Sequence, residues 1–179
     1  QNQSSAASDV YKRQMQPCVK SVQNYLTLKQ NRKPLILSIC LGILDNVLKS
    51  HIRSQNYEDF VILENILEID LNFNTGIAFG LLKGKAEFTF LLSSLVLIWL
   101  IFQFKNTFAN KIEEYAFMFV LGGALGNLGE RFVNLLNGNN GKVTDFIELL
   151  FIPSFNLADS FITIGISLLI ISELKNFRN

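Results

Sequence analysis

The chain has 179 residues, room for one domain, and 49% of them are hydrophobic, 17% are charged and 16 are Phe. With a mean hydropathy of +0.29, that much apolar surface needs lipid or a large partner to cover it, which argues against an ordinary soluble domain. A net charge of +1 supplies no basic field for nucleic acid, and two cysteines with one histidine make neither a metal-ligand set nor a disulfide framework.

Cys40, in an apolar run, reads as a small buried side chain, and His51 as a solvated or interfacial one. No metal and no cofactor is expected. Residues 1–14 (QNQSSAASDVYKRQ) are polar without apolar periodicity, and Met15 follows them as a natural start. They read as a disordered or non-native leader. Residues 15–33 form a basic, moderately amphipathic lead-in.

Four apolar segments follow: Pro34–Leu48, Phe88–Phe104, Tyr115–Leu128 with a possible extension to Leu136, and Phe155–Ile171. A membrane-crossing helix needs about 17–25 mostly apolar residues. The second segment qualifies outright. The others reach that length when their polar members are counted inside the span. The expected fold is an all-α membrane bundle of four transmembrane helices with a small extramembrane β subdomain. Residues 34–174 form one membrane domain, and 175–179 a cytoplasmic tail. Lys20, Lys29, Arg32 and Lys33 before the first span, Lys105 and Lys111 between the second and third, and Lys175 and Arg178 after the fourth favour cytoplasmic termini. Lys49, Arg53, Lys83, Lys85, Arg131 and Lys142 fall on the other side.

Between the first two spans, LEIDLNFN alternates Leu67, Ile69, Leu71 and Phe73 with Glu68, Asp70, Asn72 and Asn74. Period-two alternation over eight residues predicts a half-buried strand. It is ended by the turn Asn74–Gly76. Residues 53–85 are therefore expected to form the β subdomain on the outer surface.

Polar groups gather at the outer ends of these spans. Asp45 lies near the outer end of the first and Asn74 in the loop after it. Asn127 and Arg131 end the third, Asp145 lies in the outer connection, and Asn156 and Asp159 open the fourth. Alternating span direction places all of them on one side of the membrane. Ionisable groups at that depth are functional or paired. Asn156, Asp159 and Thr163 share a helical face, as do Asn127 and Arg131. The Gly122–Gly126 pair permits close approach of a neighbouring helix, which would bring the Asn127–Arg131 face near the fourth span. Two aspartates in a low-dielectric site share a proton, and such a pair can activate water and protonate a leaving amine. Spacing alone leaves a second reading open, in which Asp159 and Arg131 form a structural ion pair and Asp145 is a loop acid.

The strings DNVLK (45–49), NTGIAFGLL (74–82), GGALGNLGERF (122–132), VTDFIEL (143–149) and FNLADSFITIG (155–165) resemble, in order, the signature blocks of the lipoprotein signal peptidases of bacteria. The agreement runs from Pro34 to Leu174. The resemblance implies catalytic aspartates at Asp145 and Asp159. It implies substrate-binding or supporting roles for Asp45, Asn74, Gly76, Asn127, Arg131, Asn156 and Ala158. It implies an aspartic endopeptidase of the bacterial inner membrane, active at the outer face, with a diacylglyceryl-modified prolipoprotein as substrate, cut just before the lipidated cysteine. The expected partners are that substrate and membrane lipid, with the enzyme a monomer. Glu130 stands where the family usually has Asp, DN replaces the frequent DQ, the 131–145 connection is long, and the 145–156 connection short. The alternatives are an inactive lipopeptide-binding homologue, or a four-helix carrier using Asp159 and Arg131, although no internal repeat accompanies them.

The topology has a direct test. A reporter fused after Arg178 is expected to be cytoplasmic and one inserted near Asn139 to be exported. A cytoplasmic signal at Asn139 would reverse the orientation.

Overall fold

The computed structural model describes residues 15–17, 33–55, 60–64, 66–76, 82, 84–103, 108 and 110–178. The chain divides into a leading unit, Gln1–Lys33, and the unit Pro34–Asn179. Of the leader and lead-in, only Met15–Pro17 and Lys33 belong to the described residues.

Four helices are described: α1 (Lys33–Ser54), α2 (Ala86–Gln103), α3 (Lys111–Leu136) and α4 (Leu157–Arg178). Pro34 sits in the first turn of α1, where its missing N–H is no loss. Asn110 caps α3, its side chain accepting from Glu113 N at 3.0 Å. By length and composition α1 and α4 could each cross a membrane. The apolar helix Ala86–Phe102 is shorter, and α3 carries Lys111, Glu113, Glu114, Glu130 and Arg131. The helices outrun the apolar segments that announce them. In particular α4 continues to Arg178, so 175–178 is helical.

The exposed surface of this fold is oily and much of its interior is polar. Ile36, Ile43, Val47, Leu95, Trp99 and Ile170 are all exposed, whereas Ser38, Asp45, Lys49, Thr89 and Asn156 are fully buried. That inversion suits helices whose outer faces meet lipid. Cys40 follows it: it is exposed on α1, not buried as its apolar neighbours suggest. His51 is exposed, as expected.

On α1 the inward face is a stripe of small and polar residues at helical spacing. Ser38 Oγ donates to Met118 O of α3 at 3.0 Å, and Asn46 Nδ2 donates to Gly126 O at 3.0 Å. Gly42 and Gly122 fit this seam: a Cβ on Gly122 would lie 2.8 Å from Leu41 Cβ, and one on Gly42 3.2 Å from Gly122 O. The Gly122–Gly126 pair thus marks a close approach, but Gly122 meets α1. Gly126 lies between α1 and α4, its added Cβ 2.7 Å from Asp45 Oδ2 and 3.1 Å from Ala158 Cβ. Gly123 seats α4 most tightly, where an added Cβ would lie 2.3 Å from Ala158 O and 2.7 Å from Ile162 Cγ1. Gly165 of α4 repeats the contact further down, 2.6 Å from Ala116 O.

Above the helices, β1 (Phe60–Leu63), β2 (Leu67–Asn74), β3 (Val143–Leu149) and β4 (Ile152–Phe155) form one antiparallel sheet in that order. The predicted strand 67–74 is β2 to the residue. Its burial is intermediate nearly throughout and does not alternate, and its ladder with β3 slips between Ile69 and Asn72. The sheet also differs from expectation in extent. Residues 53 and 54 are still helical, and half the strands come from 143–155, so 53–85 is only part of the β subdomain.

Overpacking a glycine seam forces backbone apart at a cost of about 1–3 kcal/mol. Gly123→Ala is expected to destabilise the protein on that scale in thermal denaturation in detergent. Gly129→Ala, whose added Cβ would meet only Asn46 Nδ2 at 3.8 Å, should be neutral or stabilising.

Candidate active site

The first turn of α4 organises the site. Asn156 precedes the helix and caps it: its Oδ1 accepts from Asp159 N at 2.9 Å, while Asp159 Oδ2 accepts from Asn156 N at 3.2 Å. This reciprocal arrangement is a capping box with aspartate at its third position. The N–H of Ala158, which is fully buried, is taken by Asp45 Oδ1 of α1 at 2.9 Å. Asn156 and Asp159 are thus coupled by helix capping, a more specific relation than a shared helical face.

Asp145 reaches the same place from the sheet. Its strand β3 pairs with β2, Asp145 opposite Asn72 and Val143 opposite Asn74. Asp145 Oδ1 accepts from Asn156 Nδ2 at 2.7 Å and Oδ2 from Asn74 Nδ2 at 3.1 Å. On Asp159, Oδ1 accepts from Asn127 Nδ2 of α3 at 2.8 Å. Each of the four oxygens on the two carboxylates is therefore addressed by one N–H donor. Burial first, and the charge of nearby Asp159 second, push the Asp145 carboxyl up to about 6, against the two asparagine hydrogen bonds that favour its anion.

Asn74 does a second job: its Oδ1 accepts from Gly76 N at 2.8 Å, closing the turn after β2. Arg131 of α3 holds that turn. Its guanidinium donates to Thr75 O at 3.2 Å, Gly76 O at 2.7 Å and Gly141 O at 2.7 Å. The ion pair with Asp159 that spacing left open is not among the described salt bridges. These three bonds fasten the outer loops to α3. All nine residues singled out from the sequence meet around the head of α4.

Four participants escaped the sequence reading: Lys49, Arg53, Glu130 and Thr144. Lys49 is fully buried and donates to Asn127 Oδ1 at 2.7 Å. Its Nζ also lies 2.7 Å from Asp45 Oδ2 and 3.3 Å from Glu130 Oε2. Asp45 Oδ2 makes no well-directed hydrogen bond, so that contact is an ion pair by proximity. Glu130 accepts from Thr144 N at 3.0 Å and from Thr144 Oγ1 at 2.6 Å, and pairs with Arg53. The longer side chain of Glu130, where Asp is usual, reaches β3 beside Asp145. A Lys four residues after Asp45, at membrane depth, was the available signal.

Among the described residues, no three His, Cys, Asp or Glu side chains cluster to hold a metal ion. The arrangement is a pair of carboxylates, Asp145 buried and Asp159 half-buried, held by asparagines at the end of a helix bundle, with the chemistry of proton transfer open to it.

The comparisons with known proteins agree with this architecture. The chain is 36% identical over 149 residues to a lipoprotein signal peptidase of Staphylococcus haemolyticus, covering 79% of this chain and 90% of that one. It is 33% identical over 152 residues to that of Staphylococcus aureus, covering 81% and 90%. Two solved structures, both described as bacterial membrane enzymes, superpose at 32% identity. The TM-scores are 0.72, covering 81% of this chain and 89% of that one, and 0.66, covering 80% and 93%. Residues 37–175 match the signal peptidase (SPase) II family profile. By that match and those relatives, this chain belongs to the signal peptidase II family.

Proposed function

We propose that this protein is an aspartic endopeptidase of the bacterial inner membrane that removes the signal peptide from diacylglyceryl-modified prolipoproteins, cutting just before the lipidated cysteine. The observation that carries the reading is the bridge made by Asn156, whose Nδ2 holds Asp145 while its backbone N–H holds Asp159. One residue thus sets two carboxylates to act on one bond.

In this reading α1 to α4 all cross the membrane, both termini are cytoplasmic, and the site lies at the outer face. The single membrane domain 34–174 works as a monomer. The charged aspartate takes a proton from a water whose oxygen attacks the scissile carbonyl carbon. The protonated one then gives its proton to the departing amide nitrogen as the C–N bond breaks. Asn74 and Asn127 hold the carboxylates while they exchange protons. Asp45 and Ala158 fix the head of α4, and Gly76 and Arg131 fix the loop beside it. The acyl chains of the substrate stay in the bilayer and set the depth of the peptide bond, so the lipid acts chiefly by positioning.

The test is incubation of the purified protein with one precursor in lipidated and unlipidated forms, in the same membrane mimic, followed by mass analysis of the products. Cleavage before the cysteine, much faster for the lipidated form, is expected. Equal rates would sink the lipid-positioning role. Asp145→Asn and Asp159→Asn should each lower turnover by about 10²–10⁴-fold, the scale of losing a general acid or base, with the protein still inserted. Near-normal turnover of either would remove the pair from the mechanism.

The pH profile follows from Asp145. A carboxylate that must be charged is lost as pH falls through its titration, so kcat/KM should decline on the acid side with a midpoint near 6, a value belonging to the coupled pair. The Asn74 hydrogen bond favours the anion. Asn74→Ala should therefore move that limb to higher pH. A limb unmoved, or moved down, would contradict the assignment.

A further inference from the structure

The lysine buried between α1 and α3 has no place in the mechanism above, although a full positive charge at membrane depth needs a reason to be kept. Lys49 Nζ has three protons and three oxygen neighbours: Asn127 Oδ1 at 2.7 Å, Asp45 Oδ2 at 2.7 Å and Glu130 Oε2 at 3.3 Å. Two of these are carboxylates, and an ion pair within the bundle accounts for them. The third, Asn127, is neutral, and its other end touches Asp159.

An ammonium group donates and never accepts. Facing Lys49, the Asn127 amide can therefore present only its oxygen, which turns Nδ2 toward Asp159 Oδ1, 2.8 Å away. Without Lys49 nothing described on that side of Asn127 dictates which way the amide points.

We propose that Lys49 is a positioning residue of the active site: acting through Asn127 it fixes the donor that holds Asp159, and its charge supports the negative charge of the aspartate pair. The proposal rests on the aspartic endopeptidase reading. The charged groups around Lys49 are Asp45 and Arg53 on α1, Glu130 and Arg131 on α3, Asp145 on β3 and Asp159 on α4. Arg53 is engaged by Glu130 and Thr144 Oγ1, and Arg131 by three backbone carbonyls. Among the described residues, Lys49 is the cation linked to an aspartate of the pair through a single side chain. Its charge also favours the Asp145 anion.

The test uses the full-length protein in a membrane mimic with the lipidated precursor. Lys49→Met is expected to lower kcat by about a hundredfold, the scale of removing one preorganised electrostatic partner, with little change in KM. It should also shift the acid limb of the pH profile upward by about one unit. In an Asn127→Ala background the same substitution should cost about threefold or less in kcat, because the part of its effect that runs through Asn127 is already lost and only the weaker effect of its charge remains. Asp45→Asn combined with Lys49→Met leaves no unpaired carboxylate at position 45 and keeps an acceptor for Ala158 N–H. This double variant should recover thermal stability while kcat stays low.

Wild-type kcat and pH profile in Lys49→Met would overturn the proposal and leave the endopeptidase reading standing. A fully multiplicative loss in the Asn127→Ala background would overturn it too. So would recovery of kcat in the double variant, or its failure to fold, since either assigns Lys49 to structure alone. If the wild type cleaves no lipidated precursor, the underlying reading fails and the proposal falls with it.

Discussion

The backbone N–H groups in the first turn of α4 have no partners within the helix, and at Asn156 and Ala158 the head of that helix is too deeply buried for water to supply them. Side chains from elsewhere must. Asn156 caps its own helix, and Asp45 crosses from α1 to take the Ala158 N–H. Once those bonds are required, much else is set. Asp159 is fixed by the reciprocal bond to Asn156, α1 is tied to α4 across the bundle, and the free amide nitrogen of Asn156 is aimed at Asp145. Helix capping, ordinarily a matter of stability, here places both carboxylates.

The remaining order comes from the same demand to satisfy polar groups in a place without bulk water. Gly42 and Gly122 bring α1 and α3 close enough for Ser38 and Asn46 to reach carbonyls on α3, while Gly123 and Gly165 seat α4 against α3. Lys49, Asp45, Glu130 and Arg53 balance one another's charges in the space this leaves. Burial of such a set is tolerated only when each member has a partner, and removal of one leaves a charge stranded.

Apolar runs and one clean alternation made the helices and β2 legible, since both are local periodicities. The rest of the sheet was not legible because β3 and β4 owe their strand conformation to pairing. VTDFIEL carries no alternation of its own, and it pairs with a strand about seventy residues earlier. The nine site residues could be listed from motif blocks, and all nine converge. Their division of labour could not be. Arg131 pointed at an acid on paper and in fact binds three carbonyls, because the loops 74–76 and 140–142 bring backbone oxygens nearer than Asp159. Cys40 looked buried among apolar neighbours because an apolar run was read as core, whereas on α1 it marks the outward, lipid-facing side and the inward stripe is small and polar. Lys49 was passed over as one cation among several that fit poorly with the charge bias.

The sheet is assembled from two stretches of chain that lie on either side of α2 and α3. During synthesis, β2 leaves the ribosome long before its partner. Until α2 and α3 have both been laid down, Asn74 has no Asp145 to hold. The head of α4, with Asn156 and Asp159, arrives later still. Nascent chains therefore carry no assembled carboxylate pair, and an intermediate halted before α4 would hold neither the Asn156 bridge nor Asp159. On the proposed aspartic mechanism, chemistry waits for α4 to dock, and assembly of the fold is itself the switch.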